Sequence, residues 1–156
     1  MEYNIINMRS FKVVGLKESF KYENASREIP KLWEKFFSLN SEIIPKLGLN
    51  IDTEMNGEDF EYIIGDEYLE DTQVPEGMEI VEVPSLTWAV FPCNGPISEN
   101  MPKLNQEIFS NWLPNNEKYE IAAGYNLEVY IDPADYENGT LDENYYSEVW
   151  IPVKEK

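Results

Sequence analysis

Glu128 is the side chain in this sequence most suggestive of chemistry. It sits in the apolar run 127–131, Leu-Glu-Val-Tyr-Ile. A strand there places Glu128 and Tyr130 on one face and Leu127, Val129 and Ile131 on the other. A carboxylate that looks into an aromatic-lined groove needs a partner, a proton or water, because burying it alone is costly. A lipophilic cation suits it, since the carboxylate supplies charge and each Trp or Tyr face adds ~0.5–2 kcal/mol of cation–π attraction. The residues by themselves favour a plainer reading, in which an open sheet face holds Glu128 in water. Glu148 is the second carboxylate. It shares a strand face with Tyr146 and Trp150 and reads first as a solvent-side residue. If both carboxylates faced one groove, their repulsion would raise one pKa and create an acid/base pair, with Glu128 as base and Tyr130 as positioning donor.

The aromatic residues divide between core and groove. Trp33, Phe36 and Phe37 lie on one helical face and read as core, with Trp33 able to reach a groove from the end of that face. Trp88 and Val90 share one strand face and Ala89 and Phe91 the other; Trp88 is expected to look into the groove. Trp112 stands between core and groove wall. Tyr62 and Tyr68 fall in the first half's counterpart of the Glu128 strand, so Tyr68 could close the groove from the opposite side. The lone Cys93 reads as an inert thiol.

Composition removes several alternatives. The 156 residues carry no His and one Cys. That excludes a Ser-His-Asp triad, a Cys-His pair, an imidazole metal ligand and a Cys-based zinc site. No metal site and no cofactor are expected. The net charge of −18 should repel nucleic-acid phosphates and anionic lipids and attract cations or basic protein surfaces. Leu, Ile, Val and Phe make up about 26 % of the chain, above the ~20 % below which charged chains stay disordered. The acidic stretches 54–61 and 135–143 lack calcium-loop spacing and read as solvated loops. No stretch approaches the ~20 apolar residues of a membrane span. Nothing at the start resembles a secretion signal, so a cytoplasmic location is expected.

The elements that must position these residues follow a repeating order. Residues 3–8 and 11–16 are β-rich and broken by Arg9-Ser10, which predicts one bent strand or two short ones. Ile29, Leu32, Trp33, Phe36 and Phe37 predict a helix over about 28–40, with Ser26 as cap and Pro30 near the start of the regular helix. Pro45 and Gly48 close that region. Residues 60–69 read as a strand and 71–77 as a turn. The second half repeats the pattern: strands at 78–83 and 86–91, a helix near 98–112 capped by Ser98, a strand at 127–131 and a last strand at 145–153. Ile-Pro-Lys-Leu at 29–32 answers Met-Pro-Lys-Leu at 101–104, and 10–14 answers 85–89. A single domain over 1–156 is expected, with pseudo-repeats of about 1–74 and 75–156. Two such units side by side give an α+β fold: one antiparallel sheet, two helices on one side and a groove between them.

The order of elements and several motifs resemble the GyrI-like family, also described as the AraC effector-binding domain. The resemblance covers nearly the whole chain. It is sharpest at Thr-Trp-Ala-Val-Phe-Pro-Cys-Asn-Gly-Pro (87–96), at Ile-Phe-Ser-Asn-Trp-Leu-Pro (108–114), at Leu-Glu-Val-Tyr (127–130), which looks like the family's glutamate-bearing strand, and at Glu-Val-Trp-Ile-Pro-Val (148–153). It implies duplicated β-α-β-β units and a stand-alone drug-binding or sensing domain. The expected ligand is amphipathic and cationic, held by Glu128, Tyr130, Trp88, Trp33, Tyr68, Trp112 and Glu148. It also implies two alternatives: a cofactor-free hydrolase of strained, cyclopropane-type cytotoxins, or an acidic partner of a basic protein such as gyrase. The first strand begins almost at the first residue, so no DNA-binding helices are expected ahead of it.

Overall fold

A computed structural model describes residues 1–55 and 57–156; Asn56, within the acidic stretch 54–61, lies outside the described residues. The elements run β1 (Asn4–Met8), β2 (Phe11–Lys21), α1 (Ala25–Ser38), β3 (Leu47–Ile51), β4 (Asp59–Glu67), β5 (Glu79–Val83), β6 (Leu86–Asn94), α2 (Ile97–Glu107), β7 (Tyr119–Ile121), β8 (Tyr125–Tyr130) and β9 (Tyr146–Glu155). Eight strands form one antiparallel sheet in the order β1-β6-β9-β8-β3-β4-β2-β5, and β7 pairs with the far end of β9. This is the expected α+β class.

Arg9-Ser10 does break the first β-rich segment in two, and the two strands go to opposite sides of the sheet. β1 pairs with β6, whereas β2 pairs with β4 and β5. Only two residues join β1 to β2, and only Pro84-Ser85 join β5 to β6. These short links draw the two sides together, so the sheet must curl. The Gly15–Gly65 pair permits the curl, because a Cβ on either glycine would run into the backbone of the opposing strand.

The curled sheet has two faces of different character. The face away from the helices buries Val13, Leu49, Ile63, Val83, Trp88 and Leu127 in one apolar cluster. The helix face carries two separate clusters. One lies under α1, with Leu16, Leu32, Phe36, Phe60 and Ile64. The other lies under α2, with Ala89, Phe91, Met101, Val149 and Ile151. Between them run β3 and β8, whose helix-side positions are Gly48, Asn50, Asn126, Glu128 and Tyr130. A polar strip therefore separates two apolar anchorages, and the helices stand apart above it.

Each helix differs somewhat from the sequence expectation. α1 starts at Ala25, so Ser26 lies in its first turn and Pro30 is its sixth residue; the preceding Asn24 makes no side-chain cap. That places Pro30 in the second turn, where it has no N–H to give the Ser26 carbonyl and one intrahelical hydrogen bond is missing. Leu32 and Phe36 are buried, worth roughly 1.5–3 kcal/mol each, while Phe37 at the edge of the stripe is 59 % exposed. α2 starts at Ile97 after Pro96, so Ser98 is likewise internal. After Glu107 the helix widens into a π turn, Ile108–Trp112. β3 was not expected: Gly48 is a strand residue and not a terminator.

Candidate functional site

The site is built on the central strand pair. β3 and β8 align Gly48 with Glu128 and Asn50 with Asn126, and β4 adds Tyr62 opposite Asn50. Alternation sends all of these side chains to the helix side. Tyr62 donates its hydroxyl to Glu128 Oε1 at 3.0 Å, and Tyr130 donates to the same oxygen at 2.9 Å. Gly48 makes this possible. A Cβ there would overlap the Tyr62 hydroxyl and stand 3.2 Å from that of Tyr130. The Trp33 ring meets the Tyr130 ring edge-on at 5.6 Å, which fixes the back of the site.

The electrostatics follow from the packing. Burial pushes the Glu128 carboxyl above its usual 4.5, partly offset by the hydrogen bonds from Tyr130 and Tyr62. Burial, and then the Glu128 charge, push Tyr62 and Tyr130 well above 10.0, so both phenols stay protonated donors. No Lys or Arg pairs with Glu128 among the described residues; Lys46 is engaged with Asp66, and Lys17, on the opposite face, with Glu61 and Glu79. No group of three or more Cys, Asp or Glu able to hold a metal occurs among the described residues.

A cavity of about 470 Å³ opens above Glu128. Its walls are Ala25, Ser26, Ile29 and Pro30 of α1, Asn105 of α2 and Phe109 of the π turn. Its floor is Asn50, Tyr62, Asn126 and Glu128. Asn126 ties floor to wall by donating to Asn105 Oδ1 at 3.1 Å, while its own Oδ1 is buried without a partner. The π turn brings the 40 % exposed Phe109 to the opening while Ile108 is anchored in the core. Such turns recur at functional sites because they redirect a side chain within a helix.

Of the candidate residues, the structure brings together Glu128, Tyr130 and Trp33. Trp88 lies elsewhere. It is fully buried on the far side of the sheet, aligned with Ile6 and Pro152 and 6.0 Å from Trp150, so Ala89 and Phe91 take the helix side instead. Glu148 is also on the far side, because it aligns with Val129 while Glu128 aligns with Val149. There it accepts hydrogen bonds from Tyr146 at 2.6 Å and Trp150 at 3.0 Å, and the two carboxylates form no acid/base pair. Trp112 packs on Tyr3 and Phe91, with ring centres 5.0 and 4.9 Å away, and belongs to the core under α2. Tyr68 lies past the end of β4 and lines neither this cavity nor its neighbour.

Asn50, Asn105, Asn126 and Phe109 were not singled out from sequence, and Tyr62 was noted only as the companion of Tyr68. The alternation Asn126-Glu128-Tyr130 held a usable signal, since three polar positions in a row on one strand face mark a wet strip.

A curled antiparallel sheet with two helices standing apart on one face defines a class of small-molecule-binding domain. Residues 1–154 match the family model described as the GyrI-like small molecule binding domain, and the chain belongs to that family. It is 29 % identical to the transcriptional regulator BrlR of Pseudomonas aeruginosa over 98 % of its own length, spanning 56 % of BrlR. Its fold is similar to SAV2435, solved bound to tetraphenylphosphonium, with a TM-score of 0.80 at 22 % identity over 99 % of this chain and 94 % of that one. It is also similar to EcmrR in an EcmrR–DNA complex, with a TM-score of 0.62 at 15 % identity over 99 % of this chain and 58 % of that one.

Proposed function

We propose that this small-molecule-binding domain takes up amphipathic cations in the groove between α1 and α2, with Glu128 as the counter-charge, and serves as a drug-binding or sensing domain. One observation carries this reading. Both phenols donate to Oε1 of a carboxylate that has no cationic partner among the described residues and that lines the cavity. Oε2 is thereby left to a ligand. Ile29, Pro30 and Phe109 offer apolar and aromatic surface around it. The cationic ligand of the SAV2435 structure supports the same choice. Hydrolysis by paired carboxylates draws no support from this site, since Glu148 lies across the sheet.

The test is calorimetric titration of tetraphenylphosphonium and of neutral triphenylphosphine oxide into the protein and Glu128→Gln. The substitution should weaken the cation by ~1–3 kcal/mol, the scale of a charge-assisted contact, and leave the neutral compound unaffected. Equal cation affinity in both proteins would remove Glu128 from the reading.

A further inference from the structure

The groove does not end at Glu128. A second cavity of about 440 Å³ shares Asn50, Asn126 and Phe109 with the first and runs on to Tyr22 and Asp52. Along β3, positions 48 and 50 point to the helix side; Asp52, one residue past the strand, still donates its N–H to the Gly124 carbonyl at 2.7 Å and lines the second cavity. Gly48 lies opposite Glu128, so Asp52 stands four residues further along, about 13 Å away at ~3.3 Å per residue. Asp52 is held firmly. Its Oδ2 accepts the Tyr22 hydroxyl at 2.7 Å and its Oδ1 accepts the Met55 amide at 2.9 Å. Burial, then that hydrogen bond to Asp52, push the Tyr22 phenol up to about 12, so it remains a donor. None of the ion pairs among the described residues involves Asp52. Asn126, aligned with Asn50 between the levels of Glu128 and Asp52, has a buried Oδ1 without a partner.

We infer that Asp52 is a second anionic anchor and that the joined cavities take an elongated ligand with two cationic ends about 13 Å apart, one at Glu128 and one at Asp52. This deepens the proposed cation-binding function and rests on it. A monocation of ordinary size uses the Glu128 end alone. A dication of matching span gains a second charge contact with no second loss of translational freedom, which is the source of its advantage.

The experiment titrates α,ω-bis(trimethylammonium)alkanes whose extended spans bracket about 13 Å, alongside alkyltrimethylammonium monocations of the same chain lengths. Affinity should peak at the matching span and exceed that of the equal-length monocation by about tenfold. Asp52→Asn, which keeps the acceptor for the Met55 amide, should erase that advantage and leave monocation affinity alone. Asp52→Glu keeps the charge on a longer arm and should move the preferred span instead of abolishing the preference. A rise in affinity that simply follows chain length, or an advantage that survives Asp52→Asn, overturns the second anchor while Glu128 keeps its role. Monocation affinity indifferent to Glu128→Gln removes the first anchor, and the two-point pose falls with it.

Discussion

Glu128 is kept in an environment that favours its neutral form, so ionising it costs the fold stability. Its carboxyl titrates above the usual 4.5 because burial outweighs the two tyrosine hydrogen bonds. An acid with a raised folded pKa loses stability as pH climbs from its unfolded value through its folded one. Ligand-free Glu128→Gln should therefore melt at a higher temperature than the parent at pH 7, with the difference closing as pH falls through the raised folded value towards 4.5. Thermal melts across pH check this; a variant less stable than the parent at pH 7 would mean the ionised carboxylate is structural. Cation affinity should fall over the same acidic range, since protonation removes the counter-charge. At this scale the sequence was partly legible. Alternation along 127–131 paired Glu128 with Tyr130 correctly, because both lie on one strand. It could not assign Trp88 or Glu148 to a face, because only the register between β6, β9 and β8 decides which residues share a side, and that register is set by pairing partners far away in the chain.

At the scale of elements, β3 is the piece most easily overlooked and the one on which the site turns. It is five residues long, it follows Pro45 and it contains a glycine, so its pattern reads as loop. In the sheet it becomes the seam that brings β4 and β8 to either side of it. Gly48 is required there by side-chain crowding, not by backbone conformation. Gly48→Ala should push the Tyr62 hydroxyl off Glu128, cost about 1–3 kcal/mol of stability through overpacking and weaken tetraphenylphosphonium binding. Chemical denaturation and calorimetry report the two effects separately; an alanine variant with unchanged affinity would show that the Tyr62 contact is dispensable. The long elements were far more legible, since helical stripes such as Leu32–Phe36 and β-branched runs such as those of β2 and β9 are strong local signals. The π turn was not, because a one-residue widening leaves no mark on hydrophobic periodicity.

For the whole molecule, a charge of −18 surrounds the groove with a field that draws cations from a distance. Salt screens that field over about 8 Å at physiological ionic strength and touches a buried contact far less. Titrations of tetraphenylphosphonium at rising NaCl should show the parent and Glu128→Gln losing affinity in parallel, with the gap between them preserved. A gap that collapses with salt would make Glu128 one surface charge among many. No helix among the described residues is long and apolar enough to cross a membrane.

The two-residue links at Arg9-Ser10 and Pro84-Ser85 have a further consequence. Each half of the chain lends its opening strand to the other: β1 completes the border beside β6, and β5 completes the one beside β2. Neither half is self-sufficient, for alone it would offer an uncovered hydrogen-bonding edge and hold a strand with nowhere to dock. The halves are thus clasped like linked arms, and the walls of the groove cannot drift apart without first releasing that grip.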